Sequence, residues 1–133
     1  RLSNAKINLL LDVEVKLLLV INKNEKDGKS RRFYDLPLEM EKINMLALSW
    51  TVVHPLDEQS PIQGFKEEEL KNHEAEFMVL IKGYNNNLSQ QVHARTSYKP
   101  ENIVWNARFV PIFSGKKGKT NIAIDQLGDY EKI

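Results

Sequence analysis

From Asp12 onward polar and apolar residues alternate one for one, with Asp12, Glu14 and Lys16 on one side and Val13, Val15 and Leu17 on the other. Successive side chains of an extended chain point to opposite faces, so this pattern predicts a strand with one wet face and one dry face. The alternation then gives way to Leu17, Leu18, Leu19, Val20 and Ile21, where both faces are apolar. A strand of that kind needs cover on both sides, and the rest of the chain has to supply it.

The polar residues 22–27 lead to the pair Asp27-Gly28, and both positions tolerate positive φ. They predict the charged tip of a long hairpin whose return strand occupies residues 31–38 and stops near Pro37. Residues 45–54 predict a core strand, with Leu46, Leu48, Trp50 and Val52 on one face and a stop at Pro55. The Glu-rich residues 66–73 predict a short surface helix. Four further strands are expected over 77–81, 92–98, 103–113 and 121–124, separated by turn-rich segments at 83–87, 99–101 and 114–119. With no crossover helices between strands, the pattern argues for an antiparallel β-sandwich rather than a parallel α/β sheet, and the expected fold is all-β with one short surface helix. There is no repeat or linker, so residues 1–133 are expected to form a single domain.

Composition narrows the function classes. A chain of 133 residues is long enough to bury a core without staples, and the lack of cysteine removes disulfides, thiolate zinc sites and cysteine nucleophiles together. Lys+Arg 19 against Asp+Glu 18 gives a net charge of +1, which offers little steering toward nucleic acid, so no nucleic-acid partner is expected. The apolar runs at 9–11 and 17–21 fall far short of the roughly 20 residues of a membrane-spanning helix. The chain opens on Arg1 without an initiator Met or signal peptide, and so reads as a piece of something longer.

Motifs for chemistry are sparse. His54, His73 and His93 have no metal-ligand spacing, and no metal site or cofactor is expected. His54 with Asp57 could orient a base for a hydrolase, but no nucleophile motif joins them, and a loop histidine beside a proline is more often a structural hydrogen-bonding residue. Gly83-Tyr84-Asn85 lacks the glycine spacing of a phosphate loop and the preceding Thr-Val of a potassium filter, leaving a plain loop after a strand. The basic run Lys116, Lys117 and Lys119 reads as a solvated hairpin tip. Residues 48–62, with His54, Pro55, Asp57, Glu58, Ser60 and Pro61 after the apolar Trp50 and Val52, form a polar loop that pattern alone does not explain.

That segment resembles the signature of the cytoplasmic C-terminal domain of inward-rectifier potassium channels, above all the prokaryotic members. The resemblance extends to Arg31-Arg32-Phe33-Tyr34-Asp35-Leu36, to Val92-His93-Ala94-Arg95-Thr96-Ser97-Tyr98 and to Glu101-Asn102-Ile103-Val104-Trp105, all in family order. It implies an immunoglobulin-like β-sandwich, not an enzyme, at the cytoplasmic side of the cell membrane as part of an integral membrane channel. It further implies a homotetramer around a water-filled pore, K+ as the transported ion, the channel's own transmembrane domain as partner, and voltage-gated potassium transport. On this reading the upstream membrane helices and the first strands of the domain lie outside the chain. A free-standing immunoglobulin-like interaction module without a pore is the alternative.

The resemblance also assigns residues. Asp12 falls where the family has an acidic residue facing the pore, and fourfold repetition would make it a carboxylate ring that lodges polyamines or Mg2+. Lys82 stands where many eukaryotic members have a second pore-facing acid, so it would offset part of the field from Asp12 and weaken polyamine block. Residues 83–91 match the loop that narrows the pore. There Gly83 would supply backbone freedom, and Tyr84, Leu88 and Ser89 would line the narrowest ring. His93 and Arg95 share a strand face and are expected at a subunit interface or bracing the loop, although Asn86 stands where the family has the acid that pairs with that arginine. Lys6 lies near a basic position tied to phosphoinositides in eukaryotic members, and no lipid site is assigned to it.

Overall fold

The computed structural model of the chain describes residues 1–3, 10–25, 28–46, 49–109, 113–116, 119–122 and 130–132. In chain order these form β1 (Leu2–Ser3), β2 (Leu10–Glu25), β3 (Gly28–Asp35), β4 (Lys42–Leu46), β5 (Ser49–Trp50), α1 (Glu67–Asn72), β6 (Glu76–Asn85), β7 (Gln90–Tyr98), a 3-10 turn (Pro100–Asn102), β8 (Ala107–Phe109), β9 (Phe113–Lys116), β10 (Lys119–Ile122) and β11 (Tyr130–Lys132). All strand pairs are antiparallel, and the fold is the all-β sandwich with one short helix that the sequence predicts.

The alternating segment is the spine. Along one edge β2 pairs first with β4 and then with β3, and along its other edge with β6, which in turn pairs with β7. Val13, Val15, Leu19 and Ile21 are the largest fully buried side chains of the described residues, all from the dry side of β2. They feed two clusters. Val13 and Val15 pack with Leu46 and Trp50, while Leu19 and Ile21 pack with Leu36, Leu70 and Ala75. Val20, on the opposite face, is also buried, as expected for a stretch that is apolar on both sides.

The spine carries one irregularity, and it decides which residues point inward. Leu11 pairs with Tyr84 and Glu14 with Lys82, so β2 has one residue more than β6 between these pairs. The extra residue makes a bulge, where Asp12 has φ +48°. Asp is among the few residues that visit this left-handed region without large cost. Gly83 is the residue opposite the bulge. A Cβ built there would lie 3.3 Å from Val13 Cγ2, tighter than an ordinary contact, so a side chain at Gly83 would crowd Val13.

Several expectations are corrected here. Residues 45–54 are not one strand: β4 ends on the large sheet, β5 pairs with β1, and residues 51–55 are not in a strand. Buried Leu46 and Trp50 belong to one cluster, so the same apolar spacing suits a chain stepping between sheets. Residues 103–106 are likewise not strand. Ile103 and Trp105 pack against the core and Asn106, at φ +51°, redirects the chain into β8. The turn expected at 83–87 starts later, because β6 runs through Gly83 and Tyr84 to Asn85. The hairpin tip is also tighter than expected, with Glu25 already paired to Gly28. Asp27, Lys117 and Lys6 lie outside the described residues.

The helix matches its expected position. Glu67, Glu68 and Glu69 occupy its first turn, where the helix dipole favours negative charge, and Leu70 is its buried contact with the core. Its C-terminal end is tied to the spine by a hydrogen bond from the Asn22 amide to the His73 carbonyl, at 2.8 Å.

Truncating the spine should therefore be costly: Leu19→Ala is expected to lower unfolding free energy by about 3 kcal/mol in chemical denaturation. Leu56→Ala, at a side chain 66% exposed, should change it by less than about 0.5 kcal/mol.

Candidate functional site

The wet side of the spine, continued across the sheet, is where the expected functional residues gather. Register sets two rows. Lys42, Glu14, Lys82 and His93 lie side by side across β4, β2, β6 and β7, and Lys16, Leu80 and Arg95 form the next row. Between β2, β6 and β7 this face holds a cleft of about 500 Å3 lined by Glu14, Lys16, Leu80, Lys82, His93 and Arg95, among others.

Glu14 is the electrostatic hub. Lys82 Nζ lies 3.1 Å from its carboxylate and Lys42 Nζ lies 4.0 Å away. The hydrogen bond from Lys82 holds the Glu14 carboxyl below its usual pKa, and burial opposes this more weakly. Lys82 was expected to oppose Asp12, but the acid it engages is Glu14. Sequence alternation placed Glu14 on the right face, and only the cross-strand register identified its partner.

Asp12 is exposed at the bulge, and its backbone conformation gives this position a second constraint beyond charge. The residues expected in one loop are divided. Gly83 and Tyr84 are paired strand residues, opposite Val92 and Gln91, whereas Leu88 and Ser89 are in the turn between β6 and β7. Gly83 does not have positive φ, so the expected backbone freedom is replaced by its role in accommodating Val13.

Asn85 organises that turn. It is 5% exposed, and its Oδ1 accepts hydrogen bonds from the amides of Asn87 and Leu88, each at 3.1 Å. The signal was present as an Asn closing a strand, a residue that readily forms such turns. Leu88 is left 56% exposed, and Ser89 has φ +49°. His93 and Arg95 share the expected face, and no carboxylate pairs with Arg95 among the described residues.

The polar loop after Trp50 has a structural explanation. His54 Nδ1 is 2.6 Å from the Pro37 carbonyl, which can only accept, so Nδ1 carries the proton. Nε2, 2.7 Å from Ser60 Oγ, then accepts the Ser60 hydroxyl proton, and Ser60 Oγ accepts from the Ile62 amide. Asp57 instead accepts from the Gln59 amide. The His54–Asp57 pairing considered for a hydrolase is therefore not formed, and His54 braces this loop against the end of β3. A larger cleft of about 670 Å3 faces the inner side of the sheet, with Leu17, Phe77, Val79 and Ile103 among its mostly apolar walls.

Comparison with known proteins decides the family. Residues 1–133 match the inward rectifier potassium channel C-terminal domain. The chain belongs to this family. It is 40% identical over 115 residues to the inward rectifier potassium channel Kirbac3.1 of Paramagnetospirillum magnetotacticum, an alignment covering 86% of the chain and 39% of that protein. It is 41% identical over 88 residues to the ATP-sensitive inward rectifier potassium channel 15 of Homo sapiens, covering 66% of the chain and 23% of the relative. With the human inward rectifier potassium channel 4 it shares 26% identity over 127 residues, covering 88% and 27% respectively. This C-terminal domain thus spans well under half the length of these relatives. They are named as channels rather than enzymes. The expectation of voltage gating is corrected, because inward rectifiers are not voltage-gated channels. Among the described residues, no helix of this inward-rectifier domain is long and apolar enough to cross a membrane.

The Glu14–Lys82 pair can be tested by titration. Lys82→Gln is expected to move the Glu14 pKa back up, followed through its side-chain carboxyl carbon by NMR. Because the folded-state pKa is the lowered one, the pair's stabilisation is present above the ordinary carboxylate range and lost as pH falls through the lowered value. Lys82→Gln should reduce that acid-side loss, and an unchanged Glu14 titration would exclude the pair.

Proposed function

We propose that this chain is the cytoplasmic, non-enzymatic part of a homotetrameric inward-rectifier potassium channel, extending the conduction path below the channel's own transmembrane domain. The observation that carries this reading is the family match over residues 1–133, joined to 40% identity with a bacterial channel. The geometry supports it in two places. In β7, every residue but Val92 is exposed, leaving a long strand at the end of the large sheet that another copy could cover. Closed cyclic symmetry would then repeat the wet face of β2 and β6 around an axis.

In that assembly Asp12 and Lys82 line the pore, and the turn bearing Leu88 and Ser89, with Tyr84 at its base, narrows it. His93 and Arg95 brace this turn or meet the neighbouring subunit. K+ passes along the axis, and polyamines or Mg2+ are the candidate blockers. Their hold is weak because Lys82 and Lys42 neutralise Glu14, and Asp12, two residues along β2, is left as the neighbouring acid with no ion pair among the described residues.

Potassium currents through the intact protein, recorded with spermine on the cytoplasmic side, test the assignment. Weak block is expected, Asp12→Asn should weaken it further, and Lys82→Glu should strengthen it by at least about tenfold. Asn is chosen because it also tolerates the left-handed conformation of the bulge. Low-micromolar block of the unsubstituted protein would refute the pore-wall electrostatics. Absence of potassium current would favour the interaction module instead.

A further inference from the structure

The wet face of the large sheet carries more positive charge than its proposed role in a cation pathway requires. Around the 500 Å3 cleft, Lys16, Lys82 and Arg95 are cationic and His93 is an imidazole, against the single carboxylate of Glu14. That carboxylate is already engaged by Lys82 and Lys42. Among the described residues, the side chains of Lys16, His93 and Arg95 have no hydrogen bond or ion pair, and all three are exposed.

Their arrangement follows from register. Lys16 and Arg95 flank Leu80 on the neighbouring strands, which puts their Cα atoms about 10 Å apart, and Lys82 follows two residues along β6, about 7 Å from Leu80. The half-buried Leu80 forms a low floor that three long cationic side chains can reach across. Arginine can offer two parallel N–H donors to one phosphoryl group, while each lysine acts as a movable point charge.

We propose that this cleft binds a short, soluble oligophosphate, with Arg95, Lys16 and Lys82 as its ligands. The charge pattern selects this occupant over an extended polyanion. By register, Asp35 lies opposite Leu18 and Glu76 opposite Val20 on the same face, so acids end the cationic stretch within two rows. A membrane surface or a nucleic acid would need the positive charge to continue. The volume is that of a small-molecule site. The site goes beyond the channel reading and is built from one chain alone; in a tetramer it requires that Arg95 take the bracing role rather than the subunit contact, since a neighbouring copy seated on that part of β7 would cover it.

The proposal gives Glu14 a distinctive role. It competes with the ligand for Lys82, so removing its charge should tighten binding. Calorimetric titration of sodium tripolyphosphate into the intact protein at low salt should show saturable binding that weakens as salt is raised. Arg95→Gln and Lys16→Gln should each weaken it about tenfold, and Glu14→Gln should tighten it about threefold. Lys71→Gln, on α1 and paired with Glu67, should leave it unchanged. Circular dichroism and thermal melts of each variant separate loss of binding from loss of fold. Absence of saturable binding, equal weakening by Lys71→Gln, failure of Glu14→Gln to tighten, or preference for anionic vesicles over tripolyphosphate would each overturn the proposal. None of these outcomes depends on channel current, so the site and the channel reading fail separately.

Discussion

Everything in the large sheet depends on β2 keeping one face dry while its other face carries charge. Val13, Val15, Leu19 and Ile21 lose almost all contact with solvent, and the strands and helix that cover them determine where the remaining chain can run. Burying such side chains is the main source of favourable free energy in a domain of this size, and a shift of one residue would turn them all to water. Register is therefore strongly specified from Glu14 to Val20. The positions of Lys82, His93 and Arg95 are then consequences of that register, since β6 and β7 are laid down on it.

The bulge at Asp12 shows how the same constraint is handled where the alternation would fail. With one extra residue in β2, Leu10 pairs with the buried Asn85 and Leu11 with the exposed Tyr84. Asp12 and Gly83 are complementary parts of this device. One tolerates the left-handed backbone, and the other leaves room for Val13. A position that family resemblance associates with pore charge thus also has a backbone requirement. Charge and conformation at Asp12 have to be separated before either is credited with an effect.

Electrostatically, the wet face is a balance among near neighbours. Glu14 is shared between two lysines, so its own field is largely neutralised, while Lys16 and Arg95 retain theirs. A net charge of +1 over the chain conceals this local excess, because other acids lie outside the cleft, including three consecutive glutamates at the start of α1. Local placement sets what an ion meets at this face, since opposite charges within a few ångströms cancel and distant ones are screened by salt.

Local patterning was sufficient for the class of fold, the spine strand and the helix, because period-two alternation and a Glu-rich turn are properties of neighbouring residues. It also placed Asp12, Glu14 and Lys16 on one face and His93 with Arg95 on another strand's face. It failed at residues 45–54 and 103–106, where the same apolar spacing serves a chain crossing between sheets. It failed again at Gly83, whose role depends on a side chain 70 positions away. The partner of Glu14, the bracing of His54 by Pro37 and Ser60, and the row joining Lys16, Leu80 and Arg95 were likewise decided by tertiary structure. Sequence determined which residues could be wet or dry. Which charges became neighbours was decided only when strands distant in sequence paired, because ion pairs and clefts depend on distances that alternation along one strand does not contain.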